Sequence, residues 1–241
     1  MSDKHLSTQF DAELGDVSSR VLEIGGMVEA QLQHAIFSLL NHDIASADAA
    51  IDVGGRVNDM EIAIDGEISA IIARRQPAAR DLRLLIAISK TTANLERVGD
   101  ESEKIARMVK SINQTGHAQR VPSAELRVAA ELAASLLRKS LDSFARLDTE
   151  EALTIMRDDD LIDLEFNGFV RKLITYMMED ARTISTGLDL LFVAKALERI
   201  GDHAKNIAEF TIYVVTGADV RHLSRDALVS AIVATNPNRV S

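Results

Sequence analysis

A chain of 241 residues, 46% hydrophobic yet only 4% aromatic and with 3 Pro and no Trp, must build its core from Leu, Ile, Val and Ala, a composition of packed helices rather than of a β-sandwich. The absence of Cys excludes disulfides and thiolate metal sites, so any metal would rest on oxygen or imidazole donors. A net charge of −10 argues against nucleic acid as a general partner, and without an apolar leader or a run near the roughly 18 apolar residues of a membrane span the expectation is a cytoplasmic protein.

In chain order, the hydrophobic spacing predicts a first helix over about residues 8–40, ending at Asn41-His42-Asp43. A second runs over about 44–74, where Arg75-Gln76-Pro77 breaks it, and a third over about 78–112. Asn113-Gln114-Thr115-Gly116 and Pro122-Ser123 mark a linker, residues 116–123, between a first unit at 1–115 and a second at 124–218. The second unit repeats the plan with helices over about 123–145, 149–180 and 185–216. A tail over 219–241 follows, in which Ser224 is placed to cap a short last helix.

The two units are copies. The word LERVGD at Leu95 returns as LERIGD at Leu197, 102 residues on, and the same offset pairs Ile64 with Phe166, Ile68 with Val170 and Ile71 with Leu173. Around Asp43 and Asp148 the register shifts by a few residues. Within each copy, Leu84, Ile88, Thr91, Leu95, Val98, Ser102, Ile105, Val109 and Ile112 alternate steps of four and three, as do Thr186 through Val214. That is the seam of a bundle helix, so the fold class is all-α, a tandem repeat of two three-helix bundles.

Acidic words recur on these helices. Glu96 and Asp100 lie one turn apart, as do Glu198 and Asp202 in the second copy. The preceding helices carry Glu61 and Asp65, then Asp163 with Asn167 in place of the second acid; Asp159, one turn earlier, restores a pair. Each copy thus offers four oxygen-bearing side chains from two antiparallel helices. With Leu95 and Val98 on the seam, Glu96 and Asp100 fall away from the bundle core, and Glu61 and Asp65 each follow an apolar seam residue, so the cluster is expected at or near the surface, unlike a buried di-metal oxidase site. Exposed carboxylates are often merely solvated or paired at i,i+4, as Glu103–Arg107 would be, for a few tenths of a kcal/mol. Against that, like charges one turn apart repel in both copies, and Gly99 and Gly201 sit inside helices at a cost of about 1 kcal/mol relative to Ala. A metal site and a solvated face both remain open on spacing alone.

Other features read more plainly. Arg74, Arg75, Arg80 and Arg83 crowd one turn, His203 neighbours Asp202, and Met156, Met177 and Met178 read as core filling. No Glu-x-x-His word, glycine-rich phosphate loop or catalytic arrangement is present, so an enzyme is not expected.

The words LERVGDESEKIA, LERIGDHAKNIAEF, RQPAARDLR, GGMVE and YMMEDARTI resemble the PhoU family over nearly the whole chain. The resemblance implies a negative regulator of phosphate-starvation signalling and phosphate uptake. It would act as a binding protein between the ATPase of a phosphate ABC transporter and its sensor histidine kinase, reaching the inner membrane only through them, often as a homodimer. It also implies metal on the acidic words: Glu61, Asp65, Glu96 and Asp100 in the first copy, and Asp163, Glu198 and Asp202, with Asp159 as a substitute fourth donor, in the second. Mg, Mn, Fe and Zn all suit such oxygen ligands. The rival readings are a metal-dependent phosphatase or oxidase and a metal-free helical adaptor.

Overall fold

A computed structural model describes residues 8–114 and 126–221. Among them the regular structure is helical: α1 Thr8–Asn41, α2 Ile44–Asp52, α3 Gly54–Arg75, α4 Ala79–Gln114, α5 Arg127–Arg146, α6 Thr149–Glu179 and α7 Ile184–Thr216, with a 3-10 turn at Ala181–Thr183 before α7. The expected cap at Ser224, the whole linker 116–123 and most of the tail lie outside the described residues. No described helix is long and apolar enough to cross a membrane.

The same turn begins the second helix of each copy. His42 and Leu147 adopt left-handed backbone, and the next residue's N–H reaches back to Ser38 O in one copy and Ser143 O in the other. The following aspartates cap the new helix. Asp43 accepts from Ser46 N, and Asp148 from Glu150 N and Glu151 N.

Beyond that turn the copies diverge. Asp43 and Asp148 are 105 residues apart, whereas Glu61 and Asp163 are 102 apart, so the first copy carries three more residues between cap and acidic word. Three residues turn an α-helix by about 300°, enough to swing the acids off their face. The first copy resolves this with a break: the single helix expected over 44–74 is two, interrupted at Val53 ahead of Gly54-Gly55. Gln31, fully buried on α1, donates from Nε2 to Ala50 O at 2.9 Å and to Gly99 O at 3.2 Å, tying α1 to the end of α2 and to α4. The second copy keeps α6 unbroken and has Leu136 at the matching place.

The seam residues are buried as their spacing predicts, Leu95, Val98, Leu197 and Ile200 among them. One continuous core, mostly aliphatic, runs through both copies. Packing between copies is carried mainly by α4 against α7 and by α1 against α5. The acidic words lie on the pairs α3–α4 and α6–α7, whose outer helices α3 and α6 form the two flanks. Met156 and Met177 pack on the core as expected, but Met178 is 82% exposed; it falls on the outer side of α6, where the period carries it past the seam.

Candidate functional site

The first acidic group forms where α3 crosses α4. Glu61 and Glu96 are half-buried and Asp100 is exposed. Burial lifts the Glu96 carboxyl above its ordinary range, and the charges of Asp100 and Glu61 lift it further, while Arg97 opposes them. These three acids therefore feel one another. Asp65 lies at the edge of the group, its carboxylate accepting from Ser89 Oγ at 2.7 Å.

The second group forms where α6 meets α7. Asp202 is pushed up to about 6, first by desolvation and then by Glu198, Asp159 and Asp163, so the other three predicted acids converge on it. Asp159 departs from the expected surface position: it is buried, and Lys205 Nζ donates to it at 2.8 Å. Lys195 Nζ donates to Glu198 Oε1 at 2.6 Å and also lies 5.5 Å from the centre of the Phe166 ring. Glu198 Oε2 is buried without a hydrogen-bond partner among the described residues. Asn167 turns back to its own helix, donating to Asp163 O, and takes no part.

Gly99 and Gly201 explain themselves in this setting. A Cβ at Gly99 would meet Gln31 Oε1 at 3.1 Å and Val57 at 3.7 Å; one at Gly201 would meet Ile162 Cδ1 at 2.7 Å and Asp159 Oδ1 at 3.2 Å. Each glycine lets the neighbouring helix approach the middle of its acidic word. Among the described residues no three His, Asp or Glu side chains stand close enough together to hold an ion as they are. The donors themselves suit a hard cation, being carboxylates only. The first group, whose acids repel one another with no Lys or Arg in a salt bridge to Glu61, Glu96 or Asp100 among the described residues, fits one better than the second.

Three features were missed from sequence. His203 is not free surface: half-buried between α7 and α4, its Nδ1 donates to Asn94 Oδ1 at 2.9 Å, because Asn94 Nδ2 is already given to Lys90 O, and its Nε2 is buried without a hydrogen-bond partner among the described residues. Burial, with Arg199 and Arg97 nearby, holds its pKa down to about 4. Arg199 crosses between copies to Glu101 at 2.9 Å. Lys195 and Lys205 escaped notice although the repeat offered a signal: their partners at the offset of 102 are Ala93 and Glu103, neither of them a cation. In the arginine-rich turn Arg75 grips Glu13 with two hydrogen bonds, and Arg74 lies 3.9 Å from the same carboxylate.

Comparison with known proteins supplies the family. The PhoU domain matches residues 21–109 and again 126–211. A phosphate-specific transport system accessory protein PhoU homolog of Burkholderia sp is 52% identical, with 95% of this chain and 97% of that protein covered. The accessory protein PhoU of Escherichia coli (strain K12) is 46% identical, with 93% and 92% covered. The crystal structure of PhoU from Pseudomonas aeruginosa superposes with a TM-score of 0.84 at 44% identity, covering 87% of this chain and all of that one. That of the phosphate transport system regulatory protein PhoU from Streptococcus pneumoniae gives 0.79 at 27% identity, over 87% and 98%.

Proposed function

This chain belongs to the PhoU family, and from that premise we propose that it regulates a phosphate transport system by docking. A role in phosphate transport follows from relatives named as accessory proteins of that system. The finer reading is ours: the protein restrains phosphate uptake and phosphate-starvation signalling by binding the transporter's ATPase and the sensor histidine kinase in the cytoplasm, as a dimer, without turnover of its own.

The observation that carries this reading is the pair of acidic flanks. Each crowds carboxylates on an outward helix pair strongly enough to raise a carboxyl above its ordinary range, Glu96 in one copy and Asp202 in the other. Such crowding opposes folding unless something else uses it, and the complement of an acidic face is a basic partner surface. On the first flank, Glu61, Glu96 and Asp100, with Asp65 beside them, are the residues that would hold a metal ion. A bound cation there would supply the positive charge that relieves their repulsion and fix the face that the partner meets.

The test is capture of the purified ATPase and of the kinase's cytoplasmic region, with and without chelator, by the parent and by Glu96→Ala/Asp100→Ala. The double variant should keep its helical circular dichroism, because both side chains lie off the seam, and lose most of its capture. Capture by the variant equal to that of the parent would make the acidic flank ordinary surface.

A further inference from the structure

The two acidic groups look alike in sequence, yet their surroundings differ in a way that bears on what each can bind. The glycine contacts fix the correspondence. Gly99 faces Val57 where Gly201 faces Asp159, and these two residues are themselves 102 apart. A core valine in the first copy is thus a buried carboxylate in the second. That carboxylate is matched by a cation. Lys205 is two-thirds buried and reaches Asp159 at 2.8 Å, whereas its counterpart 102 residues earlier is an acid, Glu103, paired with Arg107 of its own helix. The second cation has no cationic counterpart either, since Lys195 answers to Ala93. It is held in place by Glu198 at 2.6 Å and by the ring of Phe166, which itself replaces Ile64.

We infer that the second flank is partly neutralised from within, the ammonium groups of Lys195 and Lys205 standing where a divalent cation would be held, so that only the first flank takes a metal. The exclusion is electrostatic rather than steric. A cavity of about 510 Å³ opens at Asp202 and Lys205, so an ion would reach the carboxylates but meet two fixed positive charges there. Lys205 cannot simply swing away, because doing so would leave Asp159 charged and buried without a partner. The second flank then presents a fixed salt-bridged surface, indifferent to metal supply, while the first presents a face whose charge depends on the ion. This rests on the proposal that the first flank binds a metal only in its last clause; the exclusion at the second stands by itself.

The experiment isolates the second flank. In the Glu96→Ala/Asp100→Ala background, Mn²⁺ is titrated by calorimetry against the full chain, with Lys195→Ala alone and with Lys195→Ala/Lys205→Gln added. The background protein is expected to bind no Mn²⁺ in the millimolar range and below. Each lysine removed is expected to raise affinity about tenfold or more, the effect of deleting a unit positive charge within a few Å near a protein surface. Lys195 is exposed, so Lys195→Ala keeps its fold and reads the effect even if loss of Lys205 unfolds the chain. Mn²⁺ binding by the background protein that disappears with Glu198→Ala/Asp202→Ala would overturn the inference. So would lysine variants that bind no better than their parent. Failure of the first flank is read separately, as absence of any difference between the unaltered chain and Glu96→Ala/Asp100→Ala.

Discussion

Asp202 shows how one side chain's environment sets a pH dependence. Its carboxyl titrates near 6 in the folded protein against an ordinary 3.8, so the native state holds an extra proton between those values. Stability on its account therefore falls as pH rises through that window, and the whole penalty stands above about pH 6. His203 works the other way over nearly the same range: lowered from 6.5 to about 4, it costs stability as pH falls. The two slopes partly cancel in the intact protein, and a variant is needed to separate them. Asp202→Asn should be more stable than its parent by on the order of 1 kcal/mol at pH 8, after allowing for the solvent exposure of this side chain, and no more stable at pH 4. Urea unfolding at the two pH values measures this, and a difference that does not change with pH would remove the account of its crowding.

At the scale of elements, the turn that opens the second helix of each copy is a matched pair, and its caps are separable from everything else. Asp43→Ala and Asp148→Ala should each cost about 1 kcal/mol, the typical worth of an N-cap aspartate. Asp148 satisfies two backbone N–H groups where Asp43 satisfies one, so its loss should be the greater, as the midpoint of denaturant unfolding would report. Equal and negligible losses would mean that water replaces both caps. The break at Val53 belongs to this scale too. The periodicity of 44–74 is helical on either side of it, and nothing in a hydrophobic pattern distinguishes a continuous helix from one interrupted for a single residue. Gly54-Gly55 and the change of repeat offset from 105 to 102 were the available signals.

For the whole molecule, the continuity of the core makes a physical statement about cooperativity. The copies meet over α4 and α7, with Asn94, His203 and Asn206 hydrogen-bonded at that contact and Glu101, itself buried, taking Arg199 from the other copy. Two units sharing one core should unfold in a single transition, coincident by circular dichroism and by hydrogen exchange of both halves. Arg199→Ala should lower stability by about 1–2 kcal/mol, because Glu101 loses one of its cations but keeps Lys104. Two resolved transitions, with Arg199→Ala moving only one of them, would show that the halves fold independently.

The sequence by itself determined the helical class, the doubling, the seam and the acidic words, because all four are periodic: 3.6-residue spacing and a 102-residue offset are properties of the chain alone. It also carried the family. Tertiary structure decided what periodicity does not encode. Lys195 and Lys205 stand three residues from Glu198 and Asp202, on ordinary helical spacing, and only the placing of α6 against α7 makes Lys205 the partner of Asp159, 46 residues away. Gln31 is a polar residue in a largely apolar stripe until α2 and α4 bring it two carbonyls. Whether a carboxylate is free to bind or already answered depends on such long-range neighbours, since a charge responds to everything within a few Å and not to its place along the chain.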